Sequence, residues 1–111
     1  ELATAATAKV TADRASLATS ERNAANAANG RLAMNTADAY LGYGDYAKAI
    51  ALYRVALTKG GADVDAINTR MGIALARSGD KAAARTAFAA VKGARTEIAQ
   101  FWLTWLDTPT V

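Results

Sequence analysis

Apolar side chains in this chain recur at helical spacing, and no run rich in Val, Ile and Thr alternates them with polar ones. Ala49 and Tyr53 stand four residues apart, as do Ala84 and Phe88, so each pair shares one helix face a turn apart. In EIAQFWLTWLD, residues 97–107, Ile98, Trp102, Trp105 and Leu106 form one stripe, which Ala99 and Leu103 continue and Phe101 widens. That stripe is broader than a surface helix needs to cover one neighbour. The one proline is Pro109, so everything before it is free of proline breaks, and alanine, the best helix former, is abundant. The pattern predicts an all-α fold with helices near 31–43, 45–59, 63–78, 80–92 and 95–107, the last ended by Thr108-Pro109. Turns are expected at Gly44, Gly60-Gly61 and Gly79. Residues 2–28 look helical on propensity, with a stop at Asn29-Gly30. They form one helix or two, since Ser20, followed by Glu21, can cap a second.

Two stretches carry the same pattern. GDYAKAIALYRVAL (44–57) and GDKAAARTAFAAVK (79–92) align at a period of 35, pairing Gly44 with Gly79, Asp45 with Asp80, Ala49 with Ala84, Tyr53 with Phe88 and Ala56 with Val91. A period of this size signals a stack of helical units. Glycine accepts the left-handed conformation that ends one helix, and aspartate caps the next through its side-chain oxygen. Ala49 and Ala84 are small enough to let two helices approach, and Tyr53 and Phe88 fill the space between them.

These residues resemble the tetratricopeptide repeat family, whose pattern closes on A-x₃-F. Ala49…Tyr53 and Ala84…Phe88 both match it. Residues 71–75, MGIAL, are similar to the family's L-G-x₂-Y with Leu75 for the tyrosine, and residues 36–40, TADAY, keep the tyrosine without the glycine. The family's early tryptophan is replaced by Ala33 and Asn68, and KGGAD stands where its closing proline would be. The resemblance covers about residues 30–96. It implies antiparallel helical hairpins stacked as a short right-handed solenoid. Residues 1–29 would be an N-terminal cap or degenerate repeat, 30–64 and 65–94 the two repeats, and 95–111 a capping helix. It also implies a concave groove lined by Arg31, Met34, Asp38 and Leu41 in the first copy and by Ala66, Thr69, Ile73, Ala76 and Arg77 in the second. Chaperone-binding members grip a carboxylate with lysine and asparagine at such slots; Met34, Asp38, Thr69 and Ile73 supply no such clamp.

Composition narrows the function. Apolar residues make up 52%, but many are alanine, which makes a thin core better suited to an elongated stack than to one deep globule. There is no cysteine and no histidine, which removes disulfides, thiolate chemistry, the usual zinc sites and the commonest general base. Ser16, Ser20 and Ser78 have no histidine to activate them. The net charge of +3 falls wholly in residues 66–111, which hold six basic and three acidic side chains, against seven and seven before them. Arg70, Arg77, Lys81 and Arg85 could form a basic ridge for an acidic peptide or a polyanion, a third reading that residues 70–95 allow; nothing interleaves aromatics for base stacking, so no nucleic-acid partner is expected. No 18-residue apolar run is present, and no membrane span is expected. Tyr43 and Tyr46, beside the Gly44 turn, are the better exposed aromatic contacts.

The expectation is a non-enzymatic, cofactor-free interaction module offering its groove to a peptide or protein. The alternative is the terminal portion of a longer array that docks within its own protein or self-associates, as a homodimer, through Phe101, Trp102 and Trp105. Trp102→Ala separates the roles of the last helix. As a core change it should lower the unfolding free energy by about 3–5 kcal/mol; a variant that stays folded and loses self-association would make the stripe an interface.

Overall fold

The structure, a computed structural model, describes residues 15–107, and all regular structure among them is helical. Residues 15–26 form the described part of α1. Then come α2 (Arg31–Tyr43), α3 (Tyr46–Lys59), α4 (Val64–Ser78), α5 (Lys81–Ala89), a 3₁₀ turn (Gly93–Arg95) and α6 (Thr96–Asp107). Of the expected stretch 2–28, the described part is a single helix with Ser20 inside it, so Ser20 starts no second one. The stop expected at Thr108-Pro109 lies outside the described residues.

The repeated GD dipeptide joins its helices the same way both times. Gly44 (φ 80°) and Gly79 (φ 95°) take the left-handed conformation. The Gly44 N–H donates to Leu41 O and the Asp45 N–H to Tyr40 O; the Gly79 N–H donates to Ala76 O and the Asp80 N–H to Leu75 O. This pair of hydrogen bonds is the Schellman closure of a helix end. Each aspartate then opens the next helix, Asp45 accepting from the Lys48 N–H and Asp80 from the Ala83 N–H. One residue thus closes a helix with its backbone and starts another with its side chain. Asp63 caps α4 in the same manner, accepting from the Ala66 N–H.

Two boundaries differ from expectation: α1 ends at Asn26, short of the expected residue 28, and the change after α5 is larger. The helix expected over 80–92 ends at Ala89. Beyond it Val91 turns into the core, 5% exposed, and Lys92 is extended. The Lys92 N–H, which could have continued the helix, donates to Asp65 Oδ1 at 3.1 Å and ties the chain to the start of α4. Tertiary burial and one hydrogen bond override a stretch whose propensity favours helix.

Consecutive helices lie against one another: α2 on α3, α3 on α4, α4 on α5, α5 on α6. In addition α2 meets α4 and α4 meets α6. Arg31 Nε donates to Gly61 O ahead of α4, and Arg70 of α4 reaches Asp38 of α2, so these two helices run side by side in the same direction. Arg95 and Lys92, ahead of α6, likewise meet Asp63 and Asp65 at the start of α4. The α6 end lies by the middle of α5, where Arg85 pairs with Asp107 and donates to Leu106 O, and Trp102, earlier in α6, lies against Phe88 near the α5 end. Hence α2, α4 and α6 run parallel, with α3 and α5 returning between them.

The largest fully buried side chains are Tyr53, Phe88 and Ile67. Phe88 lies against α4 at Gly72, where an added Cβ would stand 2.6 Å from the ring. Gly42, inside α2, has nothing within 4 Å of the same position. The two glycines therefore predict opposite outcomes. Gly72→Ala overpacks the ring and should lower the unfolding free energy by about 1–3 kcal/mol. Gly42→Ala should raise it by about 0.4–1 kcal/mol, since it stiffens the unfolded chain without a clash. Urea melts of both variants check the pair.

Candidate functional site

The residues expected to line a groove on α2 and α4 have four different situations. Met34 and Leu41 of α2 and Ile73 of α4 are half-buried, packed on the core along one side and open along the other. Arg31 and Arg77 are exposed. Arg31 is held by the Gly61 carbonyl at 3.1 Å, and Arg77 makes no ion pair among the described residues. Thr69 is displaced from the expected set: it is 5% exposed, with its hydroxyl donating to Asp65 O at 2.7 Å. Ala66 and Ala76 are buried as well. Spacing put Thr69 on the right face, but α6 and the 3₁₀ turn lie against α4.

Asp38 is not an open acceptor. The Tyr53 hydroxyl donates to Asp38 Oδ1 at 2.5 Å, and Arg70 Nη1 donates to Oδ2 at 2.7 Å. Asp38 and Arg70 are each about one-third exposed, and Tyr53 is fully buried. Burial, the hydrogen bond to Asp38 and that residue's negative charge hold the Tyr53 hydroxyl protonated well above the usual tyrosine range, against a smaller opposing effect of Arg70. A buried hydroxyl needs a partner, and Asp38 provides it.

Position-by-position comparison of the two copies explains this cluster. Thirty-five residues on, Tyr53 becomes Phe88 and Asp38 becomes Ile73. The hydroxyl and its acceptor disappear together. That joint change is the sequence signal for the cluster, and a reading of each copy by itself passes over it. Beside Phe88 an apolar group takes the place of the cation: Trp102 of α6 stacks on the ring, with centroids 5.8 Å apart and planes 12° from parallel.

Trp102 therefore belongs, half-buried, to the packing of α6 on α5, whereas Phe101 and Trp105 are exposed at 66% and 49%. The four residues of the repeated small–aromatic rule, Ala49, Tyr53, Ala84 and Phe88, are all at 0–1% exposure. Tyr43 is 36% exposed and Tyr46 half-buried. The expected basic ridge is broken up, since Arg70 pairs with Asp38 and Arg85 with Asp107. A separate cleft of about 540 Å³ opens between α1 and α3, walled by Ala25, Ala47, Ala51, Leu52 and Val55, with Glu21, Arg22 and Lys48 on its rim. Among the described residues no cluster of acidic side chains could hold a metal ion, and no helix is long and apolar enough to cross a membrane.

Comparison with known proteins adds no relative: no family model, no curated protein and no solved structure matches the chain.

The Tyr53–Asp38 bond predicts a pH signature. Tyr53→Phe should cost about 0.5–1.5 kcal/mol near neutral pH, the ordinary net value of such a bond. Because the folded-state pKa of Tyr53 is raised, its contribution is complete below the unfolded tyrosine value of about 10 and fades as pH rises above it. The difference between wild type and Tyr53→Phe should therefore shrink between about pH 9 and pH 11 in denaturant titrations. A constant gap would contradict the assignment.

Proposed function

We propose that the chain is a non-enzymatic interaction module, built as a short tetratricopeptide-like stack, whose α2–α4 face takes a peptide segment. Three features support the stack. The small–aromatic rule is written twice and buried twice, both GD turns close and reopen helices alike, and α2, α4 and α6 run parallel with α3 and α5 returning between them. In this reading 30–64 and 65–94 are the two repeats, and the flanking helices cover their ends, because stacked units need neighbours to bury their apolar faces.

The observation that carries the function is the open side of α2 and α4. Met34, Leu41 and Ile73 leave apolar surface exposed on two parallel helices, with Arg31 at the start of one and Arg77 in the last turn of the other. Apolar middle positions flanked by cations suit a peptide with bulky apolar side chains and acidic flanks. Asp38 is already satisfied by Tyr53 and Arg70, so it does not repel an acidic ligand as a free carboxylate would. The absence of histidine and cysteine, and the structural engagement of Tyr53, support a role without catalysis.

Selection from a random dodecapeptide display library tests this reading. It predicts enrichment of apolar peptides with Asp or Glu at their ends, abolished binding in Ile73→Glu, and binding weakened roughly two- to fivefold in Arg77→Glu, as suits one exposed charge pair. Ala51→Glu, in the α1–α3 cleft, should bind as wild type does. Peptides that ignore Ile73→Glu, or follow Ala51→Glu instead, would contradict it.

A further inference from the structure

Two buried positions of α4 recur in α6 when the helices are aligned 32 residues apart. Ala99 then matches Ile67 and Leu106 matches Ala74, all four buried. Trp102 matches Arg70, and each belongs to the cluster around the aromatic residue of the preceding helix, Phe88 or Tyr53. On this alignment Ile98, Phe101 and Trp105 occupy the places of Ala66, Thr69 and Ile73. In α4 the first two of these places are covered, Ala66 and Thr69 being 2% and 5% exposed, and Ile73 is half-buried. In α6 the same flank is large, apolar and open, with Ile98 45%, Phe101 66% and Trp105 49% exposed.

The other face of α6 is of a different kind. Where α4 receives α5, at Asn68, Gly72 and Leu75, α6 carries Gln100, Thr104 and Asp107. Asp107 is already paired with Arg85. That face gives no apolar seat for a helix of the α5 type. On α6 the exposed large apolar side chains, Ile98, Phe101 and Trp105, all lie on the Phe101 flank.

We propose that two copies of the chain pair through α6, antiparallel about a two-fold axis at Phe101, with Ile98 of each protomer against the partner's Trp105. The stripe is self-complementary in that orientation: one aromatic at its centre, an aliphatic side chain three residues before and an indole four after. A two-fold contact requires this property, because the same patch must serve both partners. The charge also suits it. Glu97 is the charged residue beside the stripe, and antiparallel pairing sets the two Glu97 side chains at opposite ends, roughly 12 Å apart along the axis at 1.5 Å per residue. From the exposed fractions, the three side chains leave open roughly 300 Å² per chain, given roughly 150–250 Å² for a large side chain. The pair would bury about 600 Å² from these side chains alone, and the flanking helix surface brings the total toward the roughly 1,000 Å² at the lower end of specific interfaces. The dimer is accordingly weak and reversible.

Sedimentation equilibrium on the whole chain tests this, over a range on the order of 1–500 µM suited to a weak interface. The mass should climb from one chain toward two, and Phe101→Glu should remain one chain throughout while keeping its helical circular dichroism. Arg77→Glu, on the α2–α4 face, should dimerise as wild type does, which separates this proposal from the peptide-binding one. Should Phe101→Glu lose its fold, Phe101→Cys decides. The chain has no other cysteine, so oxidation should join Phe101→Cys into a covalent dimer at least about tenfold faster than the exposed control Ala89→Cys. A single-chain mass at every concentration, a dimer indifferent to Phe101→Glu, or equal crosslinking of the two cysteine variants would overturn the proposal.

Discussion

The Phe88 ring fills the space that Gly72 leaves on α4, and the Trp102 indole lies nearly flat on it from α6. Three helices meet at this contact. It fixes how closely α5 approaches α4, because any side chain at position 72 would strike the ring. It also sets where α6 sits, and with α6 the exposed flank of Phe101 and Trp105. Interiors are packed to the density of organic crystals, so a flat ring between a bare backbone and an indole tolerates little displacement. The chain is rich in alanine and has few large side chains, so this cluster and its counterpart around Tyr53 carry much of what distinguishes one arrangement of helices from another.

The first copy meets the same requirement with different chemistry. Tyr53 brings a hydroxyl into a buried position, which would be costly alone. Asp38 accepts it, and Arg70 on the next helix closes the carboxylate's other oxygen. Among the described residues no buried side-chain polar atom lacks a partner. A hydrogen-bonded cluster that links α2, α3 and α4 is directional, and an apolar one is not. The polar version thus favours one register between neighbouring helices, while the apolar version at Phe88 gains more from burial. The same cluster pairs the Asp38 carboxylate with Tyr53 and Arg70, so between the exposed Arg31 and Arg77 the α2–α4 face presents no unpaired carboxylate at Asp38.

Local chemistry was read well from sequence. The three capping aspartates, the glycines that end α2 and α4, and the burial of Ala49, Tyr53, Ala84 and Phe88 all follow from short-range rules, and the structure shows each of them. What escaped the sequence depends on neighbours distant along the chain. Residues 90–92 have the propensity to extend α5, yet Val91 is drawn into the core and Lys92 donates to Asp65, 27 residues earlier. Thr69 has groove spacing, but spacing cannot show that it is buried in a helix on which α6 and the 3₁₀ turn also pack. The role of Asp38 was legible only by setting it and Tyr53 beside Ile73 and Phe88 together. Trp102 and Trp105 share one sequence stripe, and only the stacking on Phe88 separates the packed indole from the exposed one.

The contact among Gly72, Phe88 and Trp102 can be observed directly in solution. In a two-dimensional NMR spectrum of the whole chain, the Gly72 α protons should be shifted strongly upfield by the Phe88 ring. They should show nuclear Overhauser contacts to that ring, and the ring in turn to the Trp102 indole. Gly72 α protons at ordinary positions, with no Overhauser contact to Phe88, would contradict the arrangement of α4, α5 and α6 on which the account rests.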